Sequence, residues 1–138
     1  MDYFRRDQSK GISPPDLTKD CTYAEHIVRA RGKRTRYTSV SLAADAIRGF
    51  GPTLYKLLCD QLAEGGHGLV EHAALLDALR QVATEETRAD RARAIVALRY
   101  ARRRKEGLVV WRFDISGVAR KEIINWAAER VRPFFARV

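Results

Sequence analysis

The clearest alternation of hydrophobic and polar side chains lies in residues 108–115. Trp111 and Phe113 alternate there with Arg112 and Asp114. A period of two residues places successive side chains on opposite faces of a β-strand, so this pattern predicts a strand with one buried face.

A second, more polar strand is predicted at residues 36–42. Tyr37, Ser39 and Ser41 fall on one of its faces. The other face is formed by Thr38, Val40 and Leu42. Hydroxyl groups therefore occur on both faces of this strand.

Apolar residues recur at helical spacing through most of the remaining chain, in segments separated by glycine or proline. A strand over 53–58 is the alternative reading for the start of the second helix. The predicted helices are 22–31, 52–64, 69–83, 87–106 and 123–132, with a short turn or helix at 43–48.

Signals for helix ends support this assignment. Thr22 and Glu25 have the spacing of a capping box, in which each side chain satisfies a backbone N–H group. Thr87 and Asp90 repeat that spacing at the start of the longest helix, whose arginine-rich end complements the helix dipole. Gly32 is predicted to end the first helix.

Residues 1–20 contain Gly11, Pro14 and Pro15 among alternating charges and show no helical or strand period. We expect a flexible N-terminal arm there and a single domain over residues 21–138. The predicted fold class is α+β, with about five helices packed on a small β-sheet that contains the two predicted strands.

The charge balance indicates an anionic partner. The 138 residues include 26 Lys+Arg and 17 Asp+Glu, a net charge of +9. Such a field attracts polyanions, either nucleic acid or an acidic protein. Cys21 and Cys59 are expected to be free thiols. With no apolar signal core or membrane span in the sequence, we expect a cytoplasmic protein, and export by a dedicated secretion machinery is the alternative.

The positive charge is concentrated in two clusters, one around Gly32 and the other at the end of the longest helix. Arginine makes bidentate contacts with phosphate and stacks on bases, so both clusters are candidate nucleic-acid or anion sites. A solvated arginine-rich surface is the alternative explanation. The clusters are Arg29, Arg31, Lys33, Arg34 and Arg36, and Arg99, Arg102, Arg103, Arg104 and Lys105.

The histidines do not predict a metal site. His67 and His72 are five residues apart, a spacing that does not place two imidazoles on one helix face. His26 lies inside the first predicted helix, three residues before Arg29.

Residues 25–47 resemble the amino-terminal motif region of bacterial ADP-ribosyltransferase-fold toxin domains of the Arg–Ser–Glu type. In that family a histidine-hydrophobic pair and a glycine precede an aromatic residue, a Ser-Thr-Ser-like strand and a helix. The stretch from Tyr37 to Ser41 is similar to this strand, with Ser39 and Ser41 at the serine positions. Residues 109–116 resemble the family's later hydrophobic strand, and residues 121–124 resemble the strand that carries its catalytic glutamate.

The resemblance implies NAD binding and transfer of ADP-ribose, with Ser39 and Glu122 as catalytic residues. It implies that His26 and Ser41 contact NAD. The family's first-strand arginine has no clear match, and Arg29 or Arg31 is assigned its role.

Three hypotheses follow from these observations. An ADP-ribosyltransferase-like domain, active or degenerate, predicts that Ser39 and Glu122 converge on one cleft. A non-enzymatic nucleic-acid-binding module predicts that the two cationic clusters share a face. A basic protein-interaction or inhibitor module is favoured if neither occurs and an exposed apolar patch is present.

Overall fold

The computed structural model describes residues 1–30, 32–85 and 87–138. It confirms the α+β class: one six-stranded antiparallel sheet in the order β4-β5-β2-β1-β3-β6, with helices packed on it. The strands are β1 (Phe4–Asp7), β2 (Tyr37–Ser41), β3 (Thr53–Leu57), β4 (Gly68–Val70), β5 (Glu106–Val110) and β6 (Phe135–Arg137).

The α-helices in the described residues are α1 (Tyr23–Ile27), α2 (Cys59–Glu64), α3 (His72–Glu85), α4 (Arg88–Arg104) and α5 (Ile123–Val131). Turns of 3-10 helix occupy Ala44–Phe50, Arg120–Glu122 and Arg132–Phe134. None of the helices in the described residues is long and apolar enough to cross a membrane.

The hydrophobic core lies on both faces of the sheet. Leu108 packs with α1, α3 and α4 on one face, and its neighbour Val109 packs with Tyr3, Trp111 and Phe135 on the other. Neighbouring residues of a strand point to opposite faces, so the two clusters are separated by the sheet itself. Ser39 pairs with Leu108 in the ladder between β2 and β5 and shares its face, beneath α1 and α4.

Strand β2 confirms the predicted strand to within one residue at each end. The capping box of α1 is also confirmed, since Glu25 N donates to Thr22 Oγ1 and Thr22 N donates to Glu25 Oε1, each over 3.1 Å. Helix α1 ends at Ile27 rather than at Gly32. Arg29 Nη1 donates to the carbonyl oxygen of His26 over 2.6 Å and satisfies a backbone acceptor at this early end.

The expected flexible arm is wrong in its first part. Strand β1 lies inside the sheet between β2 and β3, and Tyr3 is only 1% exposed. The Tyr3 ring packs against Gly107, where an added Cβ would lie 2.8 Å from Cε1 of the ring. Its hydroxyl accepts a hydrogen bond from His72 N over 2.8 Å. The N-terminal residues are therefore part of the core.

The predicted helix at 52–64 is corrected to β3 followed by α2, in agreement with the alternative strand. Residues 53–57 pair with β1 on one side and β6 on the other. Their leucine spacing suits a helix as well as a strand, and the two neighbouring strands decide between them.

Three further boundaries differ from the sequence prediction. Helix α3 begins at His72, because the residues just before it form β4. Strand β5 begins at Glu106 and ends at Val110, although Trp111 beyond it remains buried. At the start of α4, Thr87 Oγ1 donates to Asp90 Oδ2 over 2.9 Å and makes no bond to the backbone, so this capping box is not formed.

Helix α5 confirms the predicted C-terminal helix. The strand that the family resemblance implies around Glu122 is not formed. Residues 120–122 make a 3-10 turn that leads into the helix, and Ile123, Ala127 and Val131 of α5 are buried at helical spacing.

Candidate active site

Glu106 of β5, Ser39 of β2 and Arg5 of β1 line a cleft of about 250 Å³, and the three strands are neighbours in the sheet. We call this the Ser39 cleft. Glu106 pairs with Ser41, two residues from Ser39 on the same face of β2. The remaining lining residues are Phe4, Arg6, Asp7, Ser13, Arg29, Val40, Ile47, Phe50 and Arg104.

Asp7 fixes the position of Arg5. Arg5 Nε donates to Asp7 Oδ2 over 2.9 Å, and the same oxygen accepts from Ser13 N over 2.7 Å. Arg5 Nη1 donates to the backbone carbonyl of Ser39 over 2.8 Å. The guanidinium group is therefore held between β1 and β2 by charge-assisted hydrogen bonds.

Behind Ser39, a short chain of hydrogen bonds runs into the core. His26 is fully buried, with Nε2 2.7 Å from Ser39 Oγ and Nδ1 hydrogen-bonded to Thr35 Oγ1. Burial lowers the pKa of His26 to about 2, assisted by the positive charges of Arg29 and Arg5. A neutral imidazole has one donor and one acceptor nitrogen, so His26 fixes the orientation of the Ser39 hydroxyl.

Glu106 is the buried carboxyl group of the cleft, and the residue is 2% exposed. Its Oε1 lies 3.8 Å from Arg104 Nη1, and its Oε2 has no hydrogen-bond partner. Burial raises the pKa of Glu106 to about 7, against the opposing effect of the Arg104, Arg29 and Arg5 charges. Protonated and ionised forms therefore coexist near neutral pH.

The buried side-chain atoms that lack a hydrogen-bond partner, within the part of the chain that the structure describes, belong to residues of this cleft. Two buried side-chain atoms in the described residues lack a hydrogen-bond partner, Glu106 Oε2 and Arg6 Nε, and both residues line the Ser39 cleft. An unpaired buried polar group costs about 1–3 kcal/mol. Their coincidence in one concave site with a perturbed carboxyl group is typical of a ligand-binding or catalytic centre.

The structure brings together four of the residues that the sequence selected: Ser39, Arg29 and Arg104 line the cleft, and His26 lies behind it. Ser41 is 1% exposed, and its hydroxyl is hydrogen-bonded to the backbone at Arg104 and Ala43. Its hydroxyl stabilises the fold at the end of β2. Arg31 lies outside the described residues.

Glu122 does not join Ser39. It is exposed in the 3-10 turn before α5, and it lines neither the Ser39 cleft nor the cavities next to it. The convergence of Ser39 with Glu122 is therefore not observed, and the carboxyl group beside Ser39 belongs to Glu106.

Two residues of the cleft, Arg5 and Glu106, were missed in the sequence. Arg5 lies in the stretch interpreted as an arm, and Glu106 was placed at the end of the long helix. One signal marks each of them. Arg5 precedes Asp7 with strand spacing, and Glu106 is a single acidic residue directly after the basic run that ends at Lys105.

Members of both cationic clusters meet in a second concavity of about 650 Å³ that continues from the cleft. Arg29, Lys33 and Arg34 come from the first cluster and Arg104 from the second. We call this the basic groove. Arg36 instead pairs with Asp20 over 3.2 Å. The other members of the second cluster, Arg99, Arg102, Arg103 and Lys105, are exposed.

A further cavity of about 600 Å³ lies among α1, α3 and α4 and shares no lining residue with the Ser39 cleft. Tyr23, Leu79 and Val82 contribute to its lining. It holds neither of the buried unpartnered atoms, and its apolar walls are those of a gap between helices.

No family model matches the chain, and the searches of curated proteins and of solved structures find no significant match.

Proposed function

We propose that the protein is an ADP-ribosyltransferase-like enzyme that takes NAD as substrate at the Ser39 cleft. The observation that carries this proposal is the buried, unpartnered carboxyl oxygen of Glu106 in the same cleft as Arg5 and Ser39. These residues supply an arginine, a serine and a glutamate from three adjacent strands. They replace the earlier assignments of Arg29 or Arg31 as the first-strand arginine and Glu122 as the catalytic carboxylate.

The charges of the cleft suit the pyrophosphate of NAD. Arg5, Arg29 and Arg104 line it together, and guanidinium groups bind phosphate oxygens in bidentate geometry. A volume of about 250 Å³ is small for a whole drug-sized ligand, so the cleft takes one end of the substrate. The remainder of the substrate projects from the mouth of the cleft beside Arg104, a residue that the cleft shares with the basic groove.

Glu106 provides the negative charge for the reaction. Transfer of ADP-ribose breaks the bond between the ribose C1′ carbon and nicotinamide, and positive charge develops on the ribose. An ionised carboxylate in a water-excluded site stabilises such charge far better than water does. The raised pKa of Glu106 also makes it a suitable acceptor for the proton that the attacking nucleophile loses.

Hydrogen bonds from neighbouring side chains hold the polar groups of Ser39 in a fixed orientation. The hydroxyl of Ser39 is oriented by His26 Nε2, and the backbone carbonyl of Ser39 is bound by Arg5. A polar group held in place before the substrate arrives loses little entropy on binding.

The free thiols of Cys21 and Cys59 are consistent with action in a reducing cytoplasm.

Nicotinamide release from NAD, followed by chromatography, tests this function. The wild type is compared with Glu106→Gln, which keeps the shape and removes the charge, and with the matched control Glu122→Gln. We expect release by the wild type and by Glu122→Gln, and a loss of about 100-fold or more in Glu106→Gln. No release by wild type, or the loss occurring in Glu122→Gln instead, would refute the proposal.

A further inference from the structure

The basic groove is cationic along its length. Four of its lining residues, Arg29, Lys33, Arg34 and Arg104, carry positive charge, and no carboxylate of the described residues lines it. Arg34 is held in place, because its Nη1 donates to Ser13 Oγ over 2.9 Å and to the carbonyl of Pro14 over 2.8 Å. Several cations along one groove fit a ligand with several phosphates in series.

An exposed aromatic side chain lies where the groove meets the cleft. Phe50 lines both concavities and is 54% exposed, although a phenylalanine gains by burial. The guanidinium of Arg104 lies 5.0 Å from the Phe50 ring centroid and 5.0 Å from that of Tyr100. Arg104 thus lies against the Phe50 ring and leaves more than half of the residue open to a flat partner.

We propose that the basic groove binds single-stranded nucleic acid, with one base stacked on Phe50 and presented to the Ser39 cleft as the acceptor of ADP-ribose. The phosphates lie along Lys33, Arg34 and Arg29. Phosphate contacts together with a stacking aromatic ring are how proteins hold single strands. The acceptor role rests on the proposed function, and the binding does not.

The exposed ring of Phe50 favours an unpaired base, because a base inside a duplex has no free face to stack on it. For the acceptor role, the burial of Glu106 adds the same requirement. Its side chain is nearly inaccessible at the base of a small cleft, and a base inside a duplex cannot approach such a group. Enzymes that act on bases therefore extrude them or use single strands. An acidic peptide supplies negative charge but offers no planar ring to Phe50.

The transfer step is a substitution at the ribose C1′ carbon of NAD. A nitrogen of the base donates an electron pair to form the new bond with C1′. The bond from C1′ to nicotinamide breaks, and its electron pair returns to the nicotinamide ring nitrogen, which becomes neutral. The base nitrogen loses one proton, which Glu106 accepts. No oxidant or reductant is consumed.

Binding is measured without NAD, by fluorescence anisotropy of labelled 12-nucleotide single strands of DNA and RNA and of the matching DNA duplex, over a range of salt concentrations. We expect tighter binding of single strands than of the duplex. On single strands, each cation that contacts a phosphate adds about 0.7 to the steepness with which log affinity falls against log salt concentration. Four such cations therefore predict a slope of about 3 in magnitude.

Two sets of variants test the contacts. Lys33→Gln/Arg34→Gln should reduce the salt slope by about 1.4, whereas the surface control Arg80→Gln/Arg88→Gln should leave it unchanged. Phe50→Ala should weaken binding by about 5- to 100-fold, and Phe50→Tyr should retain it. Ile95→Ala, which alters an exposed apolar residue on α4, is the control for lost apolar surface.

Three results would overturn the proposal: equal or tighter binding of the duplex, equal competition by polyglutamate, or unchanged binding in Phe50→Ala. The acceptor role is tested separately, by transfer of radiolabel from NAD to a bound single strand. If nicotinamide is released but no oligonucleotide is labelled, the single strand is not the acceptor, and the proposed NAD-consuming activity is retained. If single strands bind but no nicotinamide is released, the proposed activity is rejected, and nucleic-acid binding by the basic groove is retained.

Discussion

Replacing Glu106 with glutamine should reduce activity and yet increase stability at neutral and alkaline pH. Glutamine resembles the protonated carboxyl group in shape and carries no charge. Ionised Glu106 is costly because it is 2% exposed and one of its oxygens has no partner. A residue whose removal stabilises the fold and lowers activity is serving the reaction rather than the fold.

The size of the effect follows from the pKa of Glu106, which burial raises from its ordinary value of 4.5 to about 7. The unfolded chain releases this proton near pH 4.5 and the folded protein near pH 7. Between these values the folded state binds more protons, so the wild-type free energy of unfolding decreases as the pH rises. With each pKa unit worth about 1.4 kcal/mol, the cost amounts to about 3 kcal/mol at most.

Urea unfolding of wild type and Glu106→Gln at pH 4 and at pH 8 measures this cost directly. The variant's free energy of unfolding, relative to wild type, should increase by about 3 kcal/mol between the two pH values. The exposed control Glu122→Gln should show a change within about 0.5 kcal/mol. If the Glu106→Gln difference is the same at both pH values, Glu106 ionises normally and the cleft holds no poised carboxyl group.

Three other predictions concern the fold around the site. Deletion of residues 1–8 should abolish cooperative unfolding by circular dichroism, because it removes a central strand of the sheet; a folded truncated protein would contradict this. Thr22→Ala should lower the free energy of unfolding by about 1 kcal/mol and Thr87→Ala by less, since only Thr22 caps a backbone N–H; equal costs in urea unfolding would contradict the capping geometry. In Glu106→Gln protein, the free energy of unfolding should decrease as the pH falls below 6.5, because burial keeps the pKa of His26 near 2 while the unfolded chain takes up a proton. His26 contributes up to about 1.4 kcal/mol per pH unit to this slope. Adding His26→Gln should reduce the slope and leave the share of His67, whose pKa burial also lowers, whereas an unchanged slope would contradict the burial of a neutral His26.

Local signals in the sequence predicted several parts of the structure correctly. The capping box at Thr22, strand β2 and helix α5 each follow from neighbouring residues, and all three are observed. Ser39 and His26 were selected through the family resemblance, which rests on one continuous stretch of the chain. Their hydrogen bond, across 13 positions, was not predicted, because it depends on how α1 packs against β2.

The parts that sequence reasoning missed depend on contacts between distant strands. Strand β1 has no hydrophobic alternation in its four residues, because Arg5 and Arg6 line the cleft instead of filling the core. Functional positions often break the pattern that the fold requires, so a central strand was interpreted as a flexible arm.

Glu106 was missed for a related reason. It directly follows Lys105, whose φ of +49° ends α4 and turns the chain into β5. The sequence pattern of a helix followed by a strand locates the turn between them only to within one or two residues. The side chain's burial depends on that turn, and therefore so does its chemistry.

Calorimetric titration of Glu106→Gln protein with NAD tests the proposed NAD site most directly, because this variant should bind NAD without consuming it. We expect one NAD to bind per chain. Adding Arg5→Gln should weaken binding by about 10-fold or more, whereas adding Arg80→Gln on the outer surface of α3 should leave it unchanged, with thermal melts confirming that each variant is folded. Absence of binding by folded Glu106→Gln protein, or binding that is indifferent to Arg5, would show that the Ser39 cleft is not an NAD site.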